Sequence, residues 1–163
     1  KEGKAMGEAF GDYCAASFFA DKKSDILKPT IGNWDATFYD VRNPRCLRRL
    51  DSNKLYPKDM TGEEHDDGEI WSACLWQIHA LLGSGIADKL IISHHFLLNR
   101  EAKFEDAANA ILVANEQVNE GRNKEAIRSI FERRGILSIN KRRTGEKLED
   151  KLIVKKNKGK TRR

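Results

Sequence analysis

The 163-residue chain is predicted to fold as an all-α domain, and three observations carry that expectation. Five segments place apolar residues at the spacing of an amphipathic helix. Start and stop residues punctuate the second and fifth of them. No stretch alternates apolar and polar residues for long enough to specify a strand. The length suits one domain with a hydrophobic core of its own.

The first helix is expected over residues 5–20, in "AMGEAFGDYCAASFFA". Residues 21–64 then form a long irregular segment containing all three prolines, Pro29, Pro44 and Pro57, and the turn-former pair Gly32-Asn33. Loops of that length are functional or disordered as a rule. The aromatics Trp34, Phe38, Tyr39 and Tyr56 predict that this one is packed. In the second helix, "DDGEIWSACLWQIHALLG", Asp66 and Glu69 read as a capping box. Trp71, Leu75, Ile78 and Leu82 share a face there, and Gly83 and Gly85 end it. A third helix is expected over 86–98. A fourth, over 104–117, stacks Phe104, Ala107, Ala108, Ile111 and Leu112. The fifth is bounded by Asn123 as N-cap, with Glu125 in its first turn, Arg133 and Arg134 in its last, and Gly135 just beyond. There is no internal repeat.

Charge divides the chain in two. The net charge is +5, but residues 138–163 hold eleven Lys or Arg against three acids and carry +8, leaving residues 1–137 at −3. The expected organisation is therefore a helical body, 1–137, and a basic, solvated tail, 138–163. The tail has no aromatic residue on which bases could stack, which argues against nucleic acid as a partner. No run approaches the ~18 apolar residues of a membrane span. Three cysteines, Cys14, Cys46 and Cys74, cannot all pair within the chain. Cys14 and Cys74 lie in apolar helical runs and read as small buried hydrophobes.

Two groups of residues carry chemistry. Glu8 and Asp12 stand four apart, so on a helix they share one face and repel unless something positive faces them. They are either solvent-facing carboxylates or a metal ligand with a neighbouring acid that orients another ligand. His65 sits just before a helix start among Glu63, Glu64, Asp66, Asp67 and Glu69. It is either a surface histidine in an acidic turn or an imidazolium able to steady an oxyanion. His79, near the end of an apolar helix, reads as a core or boundary residue. His94 and His95 are adjacent, hence about 100° apart on a helix, and read as structural rather than as a ligand pair.

"GEAFGDYCAASF" followed at this distance by "EEHDDGEIWSACLW" resembles the zinc metallopeptidases of the thermolysin and fungalysin type, and more the fungalysin side. "IGNWDATFYDVRNPRCLRRLDSNKLYP", "SHHFLL" and "RSIFERRGI" resemble bacterial members of that group. The similarity extends over most of residues 6–136. It implies the all-α C-terminal lobe of an extracellular zinc endopeptidase, acting on peptide or protein substrates. Carried across, Glu8 resembles the third zinc ligand and Asp12 the partner of a zinc-bound histidine. His65 resembles the histidine that stabilises the oxyanion, and Asp59 is the candidate for the acid that orients it. Arg42, Arg45, Arg48 and Arg49 could each hold a substrate carbonyl, and nothing in the sequence selects one.

The chain departs from that family in one respect: it contains no His-Glu-x-x-His. A catalytic zinc takes three protein ligands and an open position. The resemblance therefore implies one ligand here, with two histidines and the general base in an N-terminal lobe outside this chain. The alternative is a catalytically inactive helical binding module whose basic tail contacts an anionic partner.

Overall fold

A computed structural model describes residues 1–38 and 40–139. The fold is all-α, as the sequence predicts. Five helices follow one another: α1 (Glu2–Phe19), α2 (Glu64–Leu82), α3 (Ser84–His95), α4 (Phe104–Asn119) and α5 (Lys124–Arg133). The helix boundaries differ from the sequence reading by up to three residues. The basic tail beyond Ile139, and Tyr39 in the loop, lie outside the described residues. No helix among the described residues is long and apolar enough to cross a membrane.

The core forms around Trp71, where α2 crosses the bundle. Its indole stacks on Phe104 of α4 and on Phe131 of α5, each with ring centroids 5.5 Å apart. Ile70, Leu75, Leu90, Ile91, Ile111 and Ile127 complete a fully buried shell. Burying aromatic and branched side chains of this size contributes about 1.5–3 kcal/mol each. Against this core α1 presents small residues where it passes Gly68 of α2. Ala5, Ala9 and Ala16 are fully buried, and a Cβ on Gly68 of α2 would stand 3.1 Å from the Ala5 carbonyl oxygen. The two backbones therefore approach closely, which sets the first turn of α2 beside the middle of α1.

The long connection between α1 and α2 is ordered, though not in the way its aromatics suggest. Trp34 and Phe38 are 82% and 95% exposed. Of the other two, Tyr56 alone is described, packed against Phe104. The segment is held instead by polar pairing and a few small buried residues. Ala36, Cys46 and Leu50 are buried, and Asp40 accepts hydrogen bonds from the Arg42 side chain and the Cys46 backbone. A two-residue antiparallel ladder joins β1 (Thr30–Ile31) to β2 (Arg48–Arg49), pairing Ile31 with Arg48. Two residues a strand are too few to leave an alternating pattern in the sequence.

Two further expectations are corrected. The N-cap of α2 is Glu63, whose carboxylate accepts from the Asp66 N–H at 2.7 Å, so Asp66 is a donor into the cap and not the cap itself. Asn123 is the N-cap of α5, as expected, in a left-handed conformation and with no side-chain cap bond. Cys14 is exposed, since it falls on the outer face of α1. Cys46 and Cys74 are buried, and all three thiols are free.

Gly135 ends α5 with φ of +79° and lies directly against the Tyr56 carbonyl oxygen, while the Tyr56 N–H donates to the Arg134 carbonyl at 2.8 Å. A side chain there meets both an unfavourable backbone conformation and a backbone atom of the long connection. Gly135→Ala is expected to destabilise the fold by about 2 kcal/mol or more. The check is a urea titration whose midpoint falls while its slope is unchanged.

Candidate functional site

The close approach of α1 and α2 brings His65, in the first turn of α2, against Glu8 on α1. His65 Nε2 lies 3.3 Å from Glu8 Oε2. On the other side of the ring, Nδ1 lies 2.7 Å from Glu63 Oε1. A carboxylate only accepts, so both ring nitrogens can donate at once when the ring is an imidazolium. The pKa of His65 is accordingly raised, first by the bond to Glu63 and then, against some desolvation, by the charges of Glu8 and Glu63. Glu63 is driven down to about 2 by His65 and by backbone N–H donors. The carboxylate on His65 is thus Glu63, two residues before it, rather than Asp59. Asp59 points back along its own turn and accepts from the Leu55 N–H at 2.8 Å.

Asp12, one turn along α1 from Glu8, meets a different cation. Both its oxygens accept from Arg48, Oδ2 from Nε and Oδ1 from Nη2, each at 2.6 Å. The pair is largely out of water, with side chains 9% and 22% exposed. Bidentate pairing of this kind fixes orientation as well as charge. Arg48 is raised further above its already high value, chiefly by Asp12. The other three arginines are engaged elsewhere. Arg42 binds Asp40 and the Cys46 carbonyl, Arg45 donates to the Thr37 carbonyl, and Arg49 pairs with Asp51. Sequence reasoning could not separate the four. On β2, neighbouring side chains point to opposite faces, so Arg48 turns to α1 while Arg49 turns away, but that requires knowing that residues 48–49 are a strand.

A second ring of bonds holds these groups in place. Glu69 of α2 accepts from the Arg49 N–H at 2.7 Å and from Lys54 Nζ at 2.7 Å, tying β2 to α2. Asp67 accepts from the Thr61 and Gly62 N–H groups at 2.7 and 3.0 Å, which shapes the turn leading into His65. The remaining histidines lie apart. His79 stacks on Trp76 and approaches Tyr13 and Ser17, while His94 and His95 close the end of α3.

The donor set bears on a dication as follows. Among the described residues no three His, Cys, Asp or Glu side chains gather as a metal site. Glu8 is half-exposed and, among the described residues, its carboxylate pairs with His65, so it keeps lone pairs for a further partner. Each Asp12 oxygen accepts one bond from Arg48 and likewise retains acceptor capacity. The residues fit a single carboxylate ligand with a neighbouring acceptor, short of the three ligands that hold a catalytic zinc.

The family model of the fungalysin metallopeptidases (M36) matches residues 1–84. The chain is also similar to "Extracellular metalloproteinase 2" of Trichophyton tonsurans and to "Probable extracellular metalloproteinase 2" of Trichophyton verrucosum. Identity is 25% over 161 aligned positions in each case, covering 83% of this chain and 25% of the relative. A relative of the same name in Trichophyton rubrum matches to the same extent. The chain thus spans about a quarter of the length of the curated relatives it matches. No solved structure matches it.

Two outcomes follow from the geometry. In a proton NMR titration His65 is expected to stay charged above its ordinary 6.5, and Glu63→Gln is expected to return its pKa towards that value. An unmoved titration would show that Glu63 does not govern the ring. Asp12→Asn leaves the largely buried guanidinium of Arg48 without its bidentate partner. It is expected to cost about 3 kcal/mol, read by thermal or urea unfolding.

Proposed function

The chain belongs to the fungalysin metallopeptidase family, and from that premise we propose that it is the helical lobe of a zinc endopeptidase, residues 1–137 forming the lobe and 138–163 an appended basic tail. In this reading Glu8 supplies one zinc ligand and the remaining ligands and the general base come from an N-terminal lobe. The observation that carries it is the meeting of Glu8 and His65 at 3.3 Å, flanked by the Asp12–Arg48 pair. Two residues 57 positions apart in sequence reach one point, and Glu8 keeps acceptor capacity beyond its bond to His65.

When bound, zinc supplies a Lewis acid that polarises the peptide carbonyl and lowers the pKa of an attacking water. The lobe's own side chains do the rest. His65, held by Glu63 through Nδ1, carries on Nε2 a proton that here faces Glu8 and that would be given to the oxygen on which negative charge develops. The raised pKa of the ring favours its charged, donating form, and such a donor at a developing oxyanion is worth about 3–4 kcal/mol. Asp12 uses two of the Arg48 donors and leaves others free, which lets Arg48 hold a substrate carbonyl in a fixed plane. Asp12 in turn retains acceptor capacity for the N–H of a histidine coordinated to the metal. Peptides or proteins are the substrates, and the relatives' description as extracellular supports an extracellular setting.

The chain by itself is expected to bind zinc weakly and to cleave no peptide. Stoichiometric zinc by elemental analysis, together with chelator-sensitive cleavage by this polypeptide alone, would overturn the division of the site between two lobes. Joined in one polypeptide to a lobe carrying the missing ligands, His65→Ala is expected to lower kcat by about 10²–10³. The loss should fall on kcat more than on KM. Activity should also decline as pH rises through the raised pKa of His65, and in Glu63→Gln that alkaline limb should move to lower pH.

A further inference from the structure

The last turn of α3 places two imidazoles on one acceptor. His94 Nδ1 and His95 Nδ1 both meet the Ile91 carbonyl oxygen, the second at 2.9 Å. A carbonyl only accepts, so each ring carries a proton on Nδ1 and, while neutral, leaves Nε2 bare. The ring centroids are 4.2 Å apart, in an edge-on arrangement. His94 is 1% exposed, and its Nε2 has no hydrogen-bond partner among the described residues. Its ring lies 6.1 Å from that of Trp71 on α2. His95 is half-buried, and its ring packs on Phe10 of α1 with centroids 4.3 Å apart. The pair therefore fastens the end of α3 to the two helices that carry Glu8 and His65.

We propose that His94 and His95 form an acid-sensitive latch: proton uptake by His94 frees the last turn of α3 from α1 and α2 and widens the cleft beside Gly7, next to Glu8. A proton on His94 Nε2 would create an N–H with no acceptor and a charge in apolar surroundings, both of which are costly. Burial, and then the neighbouring imidazole of His95, hold the pKa of His94 down to about 4. On the side of α2 the ring meets Trp71, which does not titrate, and the titratable group acting on His94 is His95. His95 itself forms a wall of a cleft of about 870 Å³. The charged groups lining it are Lys1 before α1, Glu2 and Lys4 of α1, and Arg100, Glu101 and Lys103 of the α3–α4 connection. Glu2 is already engaged by the Tyr56 hydroxyl and the Phe104 N–H. The cleft is thus net basic and offers little to stabilise a charged histidine in its wall.

The direction with pH follows from the two states. Unfolded, His94 binds a proton near its ordinary 6.5, and folded near 4. The unfolded chain therefore holds more protons between those values. The contribution of His94 to stability is full above pH 7, declines as pH falls from about 6.5 to about 4, and levels off below that. The proposal is independent of the peptidase reading, because its readouts are conformational.

Three measurements on the whole chain test it. By NMR, the His94 ring proton should titrate below pH 5, and a midpoint at or above 6.5 would overturn the proposal. Amide protection in the 91–95 turn, corrected for intrinsic exchange, should fall at least tenfold between pH 7 and pH 5 while that of α2 holds. Equal changes in both helices would also overturn it. In urea titrations the wild-type midpoint should drop over this range, and His94→Phe should lose distinctly less. An identical loss in the variant counts against the latch. If His94→Phe does not fold, His95→Gln replaces it: removing the adjacent imidazole should raise the His94 midpoint, and an unmoved midpoint overturns the coupling.

Discussion

The contact between α1 and α2 at Gly68 governs the arrangement of everything else. A helix pair separated by larger side chains would hold its axes further apart, and the side chains that reach across would no longer meet. Here a glycine on one helix faces alanines on the other, so a glutamate and a histidine of ordinary length touch. Trp71, three residues after Gly68, anchors the same helix in the aromatic core. The geometry at the surface is thereby tied to the most rigid part of the interior.

Electrostatics then decide how the irregular connection folds onto this frame. Several acids of α1 and α2 are answered by cations or backbone N–H groups of the connection. Arg48 answers Asp12, Lys54 bridges Asp66 and Glu69, and the backbone of the turn at Thr61 and Gly62 answers Asp67. Each carboxylate that would be costly to leave unpaired instead orders a stretch of chain. The question raised by two like charges on one helix face has a different answer at each position. Asp12 is neutralised by a guanidinium, and Glu8 faces a histidine whose pKa its acidic neighbours raise.

Much of the organisation was legible along the chain. The all-α fold and its resemblance to fungalysin-type peptidases hold, and the apolar spacing of α2 and α4 identifies their buried faces. The exposure of Trp34 and Phe38 was not legible, because composition reports that an aromatic is present and not whether a neighbour covers it. The cap of α2 was misplaced by three residues, since glutamate is a less common cap than aspartate and an acidic run offers several candidates. The orienting acid was sought at Asp59 for a related reason. Within a turn, direction in space depends on backbone dihedrals that residue type constrains only weakly.

What the sequence by itself determined is local: helical periodicity, the four-residue spacing that puts Glu8 and Asp12 on one face, and the division between an acidic body and a basic end. These follow from fixed geometric periods, which neighbouring residues cannot alter. Tertiary structure alone decided which arginine of four reaches Asp12, which acid holds His65, and that two adjacent histidines would share one carbonyl at a helix end. Those choices depend on how closely two helices pack and where a long connection reverses, distances set by contacts between residues far apart in the chain.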